Sequence, residues 1–122
     1  MKRLTQVVLV FCLLFATVLV SNKIRFHYDW KDAFCRTLLT PFLGTVWADR
    51  FSETGFAKAQ LGMDEQNIED IVGKPIRKSC DNEGCLWVYA DQDPDNLPYD
   101  RRWISFNSKH RVIEIRHDFY ID

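Results

Sequence analysis

Apolar residues change their spacing several times along this chain, and each change marks a different kind of element. From Val7 to Val20 they are almost unbroken, with Thr17 the one polar interruption. A surface helix of a soluble core keeps a polar face, and this run has none. Met1-Lys2-Arg3 supplies a short positive start, so the segment reads as a signal peptide or signal anchor. Further on, Trp30, Phe34 and Leu38 recur every four residues, which predicts a short amphipathic helix. Thr40-Pro41 reads as a cap followed by proline at the first helical position, opening a second stripe with Phe42, Val46 and Trp47. Two destinations fit these stripes: packing on the domain that follows, or the membrane interface.

Residues 49–60 read as a helix with Phe51 and Phe56 on its apolar side and Ser52 or Asp49 as its cap. Gly62-Met63-Asp64 breaks it. Asp64 is suited to cap the next helix, because its carboxylate accepts the free amide protons of the first turn. Met63 before the cap and Ile68 after it form a hydrophobic staple. Ile68, Ile71 and Val72 make the buried stripe, Gly73 fits a left-handed stop, and Pro75 prevents continuation.

After Pro75 strand formers take over. Leu86-Trp87-Val88-Tyr89-Ala90 is a strand, and residues 91–100 with Pro94 and Pro98 are a polar loop. Trp103-Ile104-Ser105-Phe106 alternates, Asn107-Ser108-Lys109-His110 is a turn, and Val112 to Ile121 is the last strand. Pairing across that turn puts Ile104, Phe106, Ile113 and Ile115 on one face, toward the helices. Trp103, Ser105, Val112, Glu114 and Arg116 then share the other. The expected class is α+β: two N-terminal helices packed on a three- to four-stranded antiparallel sheet, a two-layer sandwich preceded by an N-terminal hydrophobic helix. The corresponding domains are a signal anchor or signal peptide at 1–22, a juxtamembrane amphipathic segment at 23–48, and the α+β domain at 49–122.

Signal-peptidase sites need small residues in an A-x-A-like pattern. A cut after Ala16 would place Leu14 two residues earlier, and one after Ser21 would place Leu19 there; both are poor sites. Cys12 follows Phe11 inside the apolar run, so it is not a lipoprotein acylation site. As a helix, Leu4 to Ile24 rises about 31 Å, which matches a bilayer core. Phe26, Tyr28 and Trp30 follow as an aromatic belt would, which favours a retained anchor. Lys2 and Arg3 argue for the N-terminus inside, while Lys23 and Arg25 oppose that orientation.

Cys80 and Cys85 flank the turn-like Asp81-Asn82-Glu83-Gly84. If residues 76–80 and 85–90 form a hairpin, the two sulfurs face each other and can bond; such a bond requires an oxidising compartment, which agrees with export. Two unpaired thiols, or a zinc site, are the alternatives. Zinc lacks ligand-like spacing from His110 and His117. A redox pair would more usually have C-x-x-C spacing at a helix start. Cys12 lies in the apolar segment, and Cys35 is left over, either buried or paired between chains.

Charge changes the picture only by exclusion. Lys and Arg number 16 against 17 Asp and Glu, without the net basic footprint of a nucleic-acid binder. No Ser–His–Asp arrangement, glycine-rich phosphate loop or metal-ligand spacing is present. His117 and Asp118 are neighbours on a strand, so they point to opposite faces. Glu65, Glu69 and Asp70 read as a solvated helix face. The expectation is a protein that is not an enzyme, with no cofactor and no small-molecule substrate. The best contact surface is Trp103, Val112, Glu114 and Arg116 with Arg101 nearby, an aromatic patch beside arginine. Residues 23–48 folding back to cover it is the competing expectation.

Gly62-Met63-Asp64, then Val72-Gly73-Lys74-Pro75, then Trp87-Val88-Tyr89 resembles the SmpA/OmlA (BamE-like) domain. Ile104-Ser105-Phe106-Asn107, a turn, and Val112-Ile113-Glu114-Ile115 continue the pattern, so the resemblance spans roughly residues 49–122. It implies a non-catalytic periplasmic module, the best-known member being a lipoprotein subunit of the outer-membrane β-barrel assembly machinery that supports a partner subunit and contacts lipid headgroups. The lipoprotein signal is not found here, and an inner-membrane anchor is expected instead. The functional expectation is therefore a membrane-anchored, periplasm-facing binding or scaffolding module in envelope maintenance or outer-membrane protein assembly. Its partners would be membrane lipid, through the N-terminal segment, and an envelope protein. An inhibitor-like module acting on an exported enzyme and a thiol-redox protein using Cys80 and Cys85 are the alternatives.

Overall fold

The unbroken apolar run becomes one helix, α1, Lys2–Phe26, in a computed structural model that describes residues 1–95 and 97–121. Asn96 of the expected 91–100 loop and Asp122, the last residue of the expected domain, lie outside the described residues. The chain forms two compact units, Met1–Pro41 and Phe42–Asp122.

In the first unit, α1 ends at His27, whose left-handed backbone (φ 54°) turns the chain. Asp29 then caps α2, Trp30–Leu39, by accepting the Asp32 amide at 2.8 Å. The expected every-fourth-residue helix is therefore present. It folds back against α1. The Asn22 side-chain amide donates to Thr37 Oγ1 at 2.9 Å, and Arg36 donates to Asn22 Oδ1 at 3.0 Å. The rings of Phe15 and Phe34 meet edge-on at 5.7 Å. Asn22, Ala33 and Thr37 are buried, whereas Leu9, Phe11, Leu13 and Leu14 of α1 are exposed.

The second unit is a five-stranded antiparallel sheet with two helices on one face, which agrees with the expected α+β layout. Its strands are β1 Thr45–Trp47, β2 Arg77–Cys80, β3 Gly84–Gln92, β4 Tyr99–Asn107 and β5 Val112–Tyr120. The order is β1-β3-β4-β5, and β2 also pairs with β3. β2 takes Cys85 to Val88 of β3 and β1 takes Ala90 to Gln92, so two short strands share one edge. Tyr89 falls between them, at a bulge opposite β4.

α3, Glu53–Phe56, and α4, Glu65–Val72, cover the sheet. Ser52 Oγ caps α3 by accepting the Gly55 amide, and Asp64 caps α4 by accepting that of Asn67. Gly73 stops α4 where expected, but with φ 95° and ψ −168°, outside the left-handed helical conformation expected and in a region that glycine adopts without strain. Phe56, Ile68, Val72, Trp87, Tyr89, Ile104, Phe106 and Val112 form the core between the layers.

Three expectations change. The helix over 49–60 contracts to Glu53–Phe56. Gly55 there touches α4 so closely that a Cβ would lie 1.7 Å from the Ile71 carbonyl oxygen, so α3 is built for close approach rather than length. Phe42, Val46 and Trp47 do not line a helix. Thr40–Phe42 is one 3-10 turn and Thr45–Trp47 is β1, so part of the expected 23–48 juxtamembrane segment belongs to the sheet. Gly44 fixes this path through backbone bonds with Pro98 and Asp93. Finally, Ser105 pairs with Glu114 but Phe106 with Val112, leaving Ile113 as an extra residue in a bulge. The bulge shifts the register, so Val112 is buried and Ile113 is 57 % exposed, the reverse of the strict alternation expected.

Candidate functional site

The face of the sheet that lacks α3 and α4 is built by cross-strand pairs between β4 and β5. Trp103 lies opposite Arg116, Ser105 opposite Glu114, and Arg101 opposite Asp118. Trp103, Glu114 and Arg116 of the expected contact surface thus come together. Val112 does not join them, because the bulge turns it into the core. Glu114 and Arg116 are exposed and paired at 2.6 Å, whereas Trp103 is half-buried. An exposed pair of this kind contributes little to stability, on the order of 0–1 kcal/mol. Its two charges therefore remain available to a partner at small cost to the fold.

Arg101 and Asp118 anchor the neighbouring position with two parallel bonds, Nε to Oδ1 at 2.8 Å and Nη2 to Oδ2 at 2.6 Å. The Arg101 guanidinium also lies 4.5 Å from the Tyr120 ring centre and 5.2 Å from that of Trp103. The Asp118 hydrogen bonds hold its pKa above the ordinary arginine value, against the opposing effect of burial. The paired bonds to Asp118 hold the arginine beside both aromatic rings.

A different set of charges sits under the helices. Arg102 is fully buried and donates to Glu53 through Nε and Nη2, the shortest contact being 2.9 Å. His117 Nε2 lies 2.9 Å from the same carboxylate, and its ring stacks on Phe56 at 5.8 Å. Burial raises the Glu53 pKa, but hydrogen bonds from His117 and Arg102 and the Arg102 charge outweigh it and hold the carboxyl below its ordinary value. This cluster ties α3 to β4 and β5. His117 and Asp118 do point to opposite faces, one to Glu53 and the other to Arg101, so they do not form a pair. Tyr89 likewise reaches a structural partner, donating to the Gly73 carbonyl at 2.9 Å, and burial beside Glu69 pushes its phenol pKa up.

Cys80 and Cys85 stand directly opposite on β2 and β3 and form a disulfide, with 4.1 Å between their Cα atoms. Cys12 and Cys35 are free thiols. His110, in the expected turn, is largely exposed and 3.0 Å from Glu65. Among the described residues, no group of three or more His, Cys, Asp or Glu is placed to hold a metal ion. A cleft of about 820 Å³ opens between the C-terminal end of α4 and the loop after β1, lined by Trp47, Asp49, Arg50, Asp70, Lys74 and Pro75 among others. Its charges are of both signs.

Sequence reasoning missed Glu53, Arg102 and Tyr120, and it gave Arg101 only a neighbouring place. Arg101-Arg102 was the available signal: adjacent arginines in a strand must serve opposite faces, so one of them had to be buried. No protein-family model matches the chain, and no curated protein matches it.

Proposed function

We propose that this chain is a membrane-anchored binding or scaffolding module, held by α1 and presenting its domain to the periplasm, where it takes part in envelope maintenance or outer-membrane protein assembly. The observation that carries the reading is α1 itself. Its 25 residues have a mean hydropathy of 2.5 over the best window, and none of that window is buried. Such a helix is long enough to cross a bilayer. Retention as an anchor is favoured because Phe15 meets Phe34 of α2, a ring contact that cutting after Ala16 or Ser21 would remove.

The resemblance of residues 49–122 to SmpA/OmlA (BamE-like) domains supports the periplasmic setting and a non-catalytic role. So does the Cys80–Cys85 disulfide, a bond that persists in oxidising compartments. The partner would be an envelope protein meeting Trp103, Glu114 and Arg116, with Arg101 as the rigid cation beside them.

The test is photo-crosslinking in intact cells from a probe placed at Arg116. Capture of an envelope-assembly protein supports the reading. Capture of an exported hydrolase would replace it with an inhibitor-like role, and absence of any adduct from positions 103, 114 and 116 would remove this face from the account.

A further inference from the structure

We infer that α2 is part of the membrane-embedded surface, lying at the headgroup boundary with Trp30, Phe34 and Leu38 in contact with lipid. The inference rests on the proposed membrane location of α1 and extends it to a second, polar-looking helix.

The geometry begins at the turn. Lys23 Nζ donates to the Tyr28 carbonyl at 3.1 Å, and Tyr28 stacks on Phe26 at 5.8 Å, so α2 starts level with the end of α1. Seven residues later, Thr37 bonds Asn22. Over a path of about 10 Å, α2 has therefore moved back only about 6 Å along α1. It is inclined to α1: the Phe34 ring reaches Phe15, about three turns from the C-terminal end, but at Thr37 the backbone of α2 lies only about one turn from that end. That depth matches an interfacial helix, whose apolar side sinks about 5–10 Å into the headgroup and acyl boundary.

The side chains sort accordingly. Ala33 and Thr37 face α1 and are buried, and the polar contact of Asn22 with Thr37 and Arg36 is sealed between the helices. Trp30, Phe34 and Leu38 lie on the adjoining stripe and remain 59 %, 47 % and 58 % exposed. Phe34 reaches Phe15, in the middle of α1, so the stripe continues the apolar surface of that helix. Water would solvate such a surface poorly, whereas lipid covers both helices at once.

The charges mark the level. Lys23 lies 4.9 Å from the Trp30 ring centre, and Lys23, Arg25 and Lys31 all sit at the turn where the two helices meet. Against them stand Asp29, occupied as the α2 cap, and Asp32. The balance favours phosphate headgroups, with the aromatic rings in the belt position.

The full chain, reconstituted in phosphatidylcholine–phosphatidylglycerol vesicles, tests this directly. Cys12 and Cys35 are changed to Ser, the disulfide is kept, and a spin label is placed in turn by Val10→Cys, Leu38→Cys and Asp32→Cys. We expect oxygen to reach the label better than a water-soluble nickel chelate at 10 and 38, and the order to reverse at 32. A lipid-accessible 10 with a water-accessible 38 overturns this inference and leaves the anchor reading intact. A water-accessible 10 overturns the anchor reading itself. A label at 38 that is immobile and reached by neither reagent means that protein covers the stripe, which also overturns the inference.

Discussion

The two units use apolar residues in opposite ways. Met1–Pro41 turns most of them outward, along most of α1 and one stripe of α2, and buries the Asn22–Thr37 contact between the helices. Phe42–Asp122 turns them inward, onto Trp87, Ile104 and Phe106, and keeps most of its charges outside. The first arrangement suits a lipid solvent, where exposed hydrocarbon carries no penalty and polar groups need internal partners. The second suits water. The contrast shows that burial alone does not identify a core; which groups are paired inside matters as much.

Arg102 is where the second unit departs most from its own rule, and there the largest effect is expected. Arg102→Met should destabilise the domain by about 3–5 kcal/mol, because it leaves the Glu53 carboxylate without its buried partner. Denaturant unfolding of the detergent-solubilised chain, followed by tryptophan fluorescence, measures it. Adding Glu53→Gln should recover part of the loss, since the stranded charge is then gone. A variant as stable as the parent would show that the pair carries none of the coupling between layers. The same carboxylate sets an acid limb. Its folded pKa is depressed, so the unfolded chain binds the proton more readily. Stability is therefore full above the ordinary glutamate range and falls as pH drops through the folded value. Glu53→Gln should flatten that limb.

Opening the disulfide comes next. Cys80→Ser with Cys85→Ser closes no loop in the unfolded chain, and the short spacing limits the loss to about 2 kcal/mol. Thermal unfolding under non-reducing conditions would register it. In the first unit, Asn22→Leu removes the sealed polar contact. It should loosen α2 at a cost of about 1 kcal/mol, read as faster amide exchange over residues 30–39, while unfolding of residues 42–122 stays unchanged. Unchanged exchange over residues 30–39 would show that the contact does not hold α2. Smallest of all, Arg116→Glu should alter stability by no more than about 0.5 kcal/mol yet abolish partner capture. Loss of the fold instead would make Arg116 structural.

Much of this contrast was legible in the residues. The α1 helix, the Asp64 cap, the Gly73 stop and the Cys80–Cys85 pairing follow from local chemistry, and each appears where the pattern put it. What stayed hidden depends on distant contacts. Thr45–Trp47 is a strand because β3 offers an edge beyond β2, and a three-residue segment has no periodicity to show that. The register slip at Ile113 inverted two adjacent side chains, and alternation cannot reveal an extra residue. Val112 left the contact surface for that reason. Glu53 and Arg102 are 49 residues apart, and nothing local pairs them.

The central claim is that α1 stays attached and works as the membrane side of the molecule. Intact mass of the protein extracted from membranes under non-reducing conditions tests it most directly. The account predicts a mass that still includes every residue up to Ser21, lighter by the two hydrogens of a single disulfide and carrying no lipid adduct. A mass that lacks the residues through Ala16 or Ser21, or one increased by an acyl chain, would contradict it.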